Sequence, residues 1–70
     1  MTTADLIARA TAHNLPAAIV GTEVHVTTTG ANGVIFRYDA IEAGATYLGA
    51  VAGRMAPIGI AQVTVRRFAA

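Results

Sequence analysis

The chain has 70 residues, of which 54% are hydrophobic and 13% charged, with a formal net charge of +1 and neither Cys nor Trp. That bounds it to one small domain spanning residues 1–70 and excludes a disordered chain, which would be poor in apolar residues and rich in net charge. The lack of Cys also excludes a disulfide scaffold, thiolate metal sites and a thiol nucleophile. Sixteen of the hydrophobic residues are Ala, so the core is thin, and a mean hydropathy of +0.54 implies apolar surface that another chain covers.

Thr2 followed by Asp5 approximates a capping box, and Leu6, Ile7 and Ala10 form an apolar stripe, which predicts a first helix over about residues 3–13. Asn14, Leu15 and Pro16 supply a left-handed exit, a hydrophobic contact and a stop. From Ala17 to Thr29 the pattern alternates, with Val24, Val26 and Thr28 against Glu23, His25 and Thr27, which predicts a first strand. Gly30-Ala31-Asn32-Gly33 reads as a turn and Val34 to Tyr38 as a second strand, closing a hairpin. A three-residue loop sets Val26 opposite Tyr38 and Thr28 opposite Phe36, with His25 facing Asp39 and Thr27 facing Arg37 on the other side.

Asp39 and Glu42 then frame a second helix start, and Ile41, Ala45, Leu48, Ala52 and Met55 predict a helix over about residues 40–54, stopped by Pro57. Ile58 to Phe68 reads as a third strand. The expected fold is α+β: a small two-layer sandwich in α-β-β-α-β order, with a three-stranded antiparallel sheet of order 2-1-3 and two helices on one face.

The catalytic inventory is sparse. Ser, Cys and Lys are all missing, which leaves Thr hydroxyls and carboxylates as nucleophiles, so no catalytic residues are expected and the chain does not read as an enzyme. A pairing of His25 with Asp39 has the makings of a general base but reads more simply as a cross-strand polar pair. The candidate ligands His13, His25, Asp5, Glu23, Asp39 and Glu42 show no metal-binding spacing, so neither a metal nor a cofactor is expected. The glycines lack the Lys and Ser or Thr of a phosphate loop.

Two surfaces remain as candidates. Ala45, Gly49, Ala52, Gly53 and Ala56 would form a helical surface with almost no side-chain bulk, suited either to close packing within the chain or to a seam between two copies. The open sheet face would gather His25, Thr27, Arg37, Asp39, Gln62 and Arg66 as a polar, mildly basic surface, either merely solvated or able to meet nucleic acid.

All five basic residues are Arg, Ala is abundant, and the opening Thr2-Thr3-Ala4-Asp5-Leu6-Ile7-Ala8-Arg9-Ala10 is similar in style to that of short uncharacterised proteins of high-GC actinobacteria and their phages. The resemblance spans the whole chain without a family motif and implies no functional residues. The start lacks a secretory signal, and Arg54 and Pro57 interrupt the longest weakly charged run, so a cytoplasmic protein without a membrane span is expected. These observations favour a non-enzymatic interaction protein that self-associates as a homodimer or higher oligomer and binds another protein, as a phage-encoded accessory, inhibitor or modulator would. The alternative is a nucleic-acid-binding regulator using an Arg-bearing sheet face.

Overall fold

The computed structural model describes residues 1–55 and 62–70. Its elements are α1 (Thr3–Ala12), β1 (Ala17–Val20), β2 (Glu23–Thr28), α2 (Ala31–Glu42), β3 (Thr46–Met55) and β4 (Gln62–Ala69). The four strands form one antiparallel sheet in the order β1-β2-β4-β3, and both helices pack on the same face over a shared core. The fold is therefore α+β with two helices and an antiparallel sheet, as the patterning implied, but the sheet has four strands where three in the order 2-1-3 were expected.

Helix α1 begins with the predicted capping box. The Thr2 hydroxyl accepts from the Asp5 N–H at 3.1 Å, and the Thr2 N–H donates to the Asp5 carboxylate at 2.9 Å. It ends at Asn14, whose φ of 59° lets the chain turn back. The Asn14 N–H then donates to the Thr11 carbonyl at 2.9 Å and the Leu15 N–H to the Ala10 carbonyl at 2.8 Å.

The segment expected to be one strand from Ala17 to Thr29 is two, β1 and β2, joined through Gly21 and Thr22, where Gly21 takes a φ of 63°. The expected second strand, Val34 to Tyr38, lies inside α2, so its hairpin with Val26 and Thr28 does not form. The expected second helix over residues 40–54 does not form either, because α2 stops at Glu42 and β3 occupies Thr46–Met55. Of the third predicted strand, Gln62 onward is β4, while Ile58 and the Pro57 stop fall outside the described residues.

The chain is an αββ unit used twice. Arg9 and Asp39 stand 30 positions apart and form an ion pair with each other. The same offset carries Leu6 to Phe36, Ala10 to Ala40 and Leu15 to Ala45, and all six residues are buried. It also carries Asn14 to Gly44, with φ of 110°, and α2 ends with the same pair of bonds as α1, Gly44 N–H to the Ile41 carbonyl and Ala45 N–H to the Ala40 carbonyl. β2 and β4, the last strands of the two units, pair at the centre of the sheet.

The inward side of that central pair sets Val24 opposite Phe68 and Val26 opposite Arg66. Phe68 meets Phe36 edge to face at a centroid distance of 5.3 Å and lies 5.2 Å from Tyr47, and such aromatic pairs stabilise beyond their buried area. Leu6, Leu15, Val24, Val26, Phe36 and Phe68 are the large apolar members of this core.

Candidate interaction surface

Gly33 fixes how closely α2 lies on the sheet. A Cβ at this position would stand 2.6 Å from Thr28 Oγ1 and 2.8 Å from both Thr28 Cβ and Arg66 Nε, distances that real Cβ atoms do not reach. Glycine therefore lets α2 settle onto β2 and β4, with Phe36 and Ala40 buried beneath it.

The opposite side of α2 is also apolar. Val34, Ile35, Tyr38 and Ile41 are 40%, 55%, 63% and 46% exposed. Their spacing places them on one broad outer face, so α2 is apolar both toward the sheet and toward solvent, with its charged residues between the two faces. The first unit supplies an internal comparison. The equivalent positions of α1 hold Ala4, Asp5, Ala8 and Thr11, the small and polar residues of an ordinary solvated face.

Charge is distributed unevenly around this helix. Asp39 accepts from Arg9 Nη1 at 3.0 Å and faces His13 Nε2 at 3.1 Å; the His13 contact first, then Arg9, holds its carboxyl below the ordinary range. Asp5 is likewise lowered by the Thr2 N–H that it accepts. Arg37 has no carboxylate partner among the described residues; its guanidinium lies over the rings of Tyr38 at 5.3 Å and Tyr47 at 5.2 Å. Glu42 has no ion-pair partner among the described residues.

On the side away from the helices, Glu23 organises the sheet. Its carboxylate accepts from Arg67 Nε at 2.7 Å and Arg67 Nη2 at 2.9 Å, and His25 Nε2 lies 3.0 Å away. The Arg67 fork, helped by His25, holds the Glu23 carboxyl at about 2, and Glu23 in turn raises Arg67. Val20 pairs with Glu23 and Val51 with Val65, so these valines border the network on the same open face.

The expected polar face of His25, Thr27, Arg37, Asp39, Gln62 and Arg66 is thus only partly assembled. His25 and Thr27 lie on it, and Gln62 pairs with Met55 in the strands. Arg37 and Asp39 belong to α2, and Asp39 binds His13 in place of the expected His25. Arg66 points the other way, beneath α2, where Nη1 donates to the Tyr47 hydroxyl at 3.1 Å and the buried Nε has no hydrogen-bond partner among the described residues. The expected small-residue helix is not a helix: Ala45 is buried just before β3, Gly49, Ala52 and Gly53 lie on β3, and Ala56 is outside the described residues.

The outer residues of α2 carried a signal that strand-like composition masked. Val34, Tyr38 and Ile41 recur at helical spacing, while the alternation of Val34, Phe36 and Tyr38 suits a strand equally well. Among the described residues, no group of three acidic or His side chains could hold a metal ion, and no helix is long and apolar enough to cross a membrane. An open groove is lined by Met1, Asp5, Ala8, Arg9, Ala12 and Ala43, and these residues assemble no acid–base or nucleophilic group. No protein-family model matches this chain, and neither a curated protein nor a solved structure is significantly similar to it.

Proposed function

We propose that this chain is a small non-enzymatic interaction protein that self-associates and acts by binding another protein. The observation that carries the reading is the outer face of α2, where Val34, Ile35, Tyr38 and Ile41 stand exposed at positions that α1 fills with Ala4, Asp5, Ala8 and Thr11. Two units with matching buried residues differ in what they present to solvent, and an exposed apolar face of this kind marks a contact surface. The open sheet face, with Val20 and Val51 exposed around the Glu23–His25–Arg67 network, leaves a second surface for a different protein. A nucleic-acid reading has less support, because Arg37 and Arg66 do not reach that face and Arg67 is engaged by Glu23. Sedimentation velocity from low to high micromolar concentration is the test: a weight-average mass that rises with concentration supports the reading, and a monomer throughout overturns it.

A further inference from the structure

We infer that a second copy of this chain covers α2, with the two α2 helices packed against each other about a two-fold axis. The inference rests on the self-association reading above and names the surface and its occupant.

Two charges border the apolar face. Arg37 and Glu42 are both on α2, and among the described residues neither has an ion-pair partner. Five residues apart, they lie about 140° apart around the helix, on opposite flanks of the stripe formed by Val34, Tyr38 and Ile41. The equivalent positions of α1 are Ile7 and Ala12, so these charges, like the apolar residues, belong to the second unit alone.

A two-fold contact is self-complementary: whatever residue a meets on its partner, the partner's copy of a meets on the first chain. A crossing of the two helices that brings Arg37 of one copy to Glu42 of the other therefore satisfies both charges twice, while Tyr38 and Ile41 are buried between them. A different protein would have to bring its own acid and its own cation to the two flanks. The second copy already carries both. A standard interface buries about 800 Å² per partner, roughly a fifth of the 4277 Å² surface of this chain, so the seam extends beyond the apolar stripe of α2 onto its flanks.

Charge exchange tests this directly. Arg37→Glu and Glu42→Arg should each raise the dimer dissociation constant about tenfold, because each reverses two charge contacts per dimer. An equimolar mixture of the two variants should form a heterodimer of near wild-type affinity, since each chain then supplies the charge that the other lacks. Ile35→Asp, at a half-exposed position of the outer face, should weaken the dimer without altering Arg37 or Glu42. Circular dichroism checks that each variant is folded. A wild-type dimer unaffected by Ile35→Asp, or a mixture no tighter than the single variants, overturns the α2 seam while leaving self-association standing. A wild-type monomer at every concentration overturns both.

Discussion

Replacing Gly33 by Ala tests the close approach of α2 to the sheet. By helix propensity alone the change should stabilise α2 by about 0.8–1.0 kcal/mol. The new methyl would sit 2.6 Å from Thr28 Oγ1 and 2.8 Å from Thr28 Cβ and Arg66 Nε. Arg66 can bend away at its flexible stem, but Thr28 Cβ is tied to the β2 backbone and its hydroxyl donates to the Thr64 carbonyl at 2.9 Å. Relief requires α2 to lift, which loosens Phe36 against Phe68. Overpacking of this kind costs about 1–3 kcal/mol, and the upper part of that range applies where backbone must move. The net expectation is a loss of roughly 1–2 kcal/mol, or about 4–16 °C in melting temperature for a domain of this size. Thermal unfolding followed by far-ultraviolet circular dichroism measures it. A Gly33→Ala protein that melts at or above the wild-type temperature refutes the close approach, and with it the placement of the outer face of α2.

Two further outcomes follow from the core and the sheet. Phe36→Ala should cost about 3–5 kcal/mol, against a total stability of roughly 3.5–10 kcal/mol at about 0.05–0.15 kcal/mol per residue, so urea titration should find this variant largely unfolded or with a midpoint far below wild type. The Glu23 carboxyl is lowered from 4.5 to about 2 by Arg67 and His25, so the folded state binds its proton less readily than the unfolded chain does. Its contribution is complete above pH 4.5 and is lost as the pH falls from there to about 2. Glu23→Gln should flatten that part of the stability-versus-pH curve, and an unchanged acid limb would contradict the Arg67 fork.

Local signals with a single physical meaning were readable in the sequence. Thr2 and Asp5 form the predicted box, and Asn14-Leu15 the predicted exit, because both motifs satisfy nearby backbone groups whatever the rest of the chain does. The segment from Gly30 to Tyr38 misled for the opposite reason. Gly33 looked like a turn residue, yet its function is to let a helix touch a sheet, and that need appears only once β2 and β4 are in place. Val34, Ile35 and Phe36 have strand-like side chains, but the burial of Phe36 and Ala40 over Phe68 outweighs a preference of a few tenths of a kcal/mol per residue. Downstream, 16 Ala make helical spacing easy to find by accident, and the stripe from Ile41 to Met55 was such an accident, running from α2 through a turn into β3. The candidate surface moved with it, from the small residues of β3 to the large residues of α2.

The repeated αββ unit also explains why so short a chain has a core at all, and why that core is incomplete. Leu6, Ala10 and Leu15 from one unit and Phe36, Ala40 and Ala45 from the other close over the same sheet face, and Arg9 meets Asp39 where the two helices come together. Everything the two units share is buried or turns the chain. What distinguishes them is outside: α1 ended with a face that water tolerates and α2 with one that water does not. Leaving Val34, Ile35, Tyr38 and Ile41 about half exposed in a single copy forgoes stability that a 70-residue domain can hardly spare. A partner that covers them returns that stability through mass action, since anything binding the folded chain and not the unfolded one shifts the equilibrium toward folding. If a second copy covers that face as proposed, association and folding are coupled, and α2 is the element in which they meet.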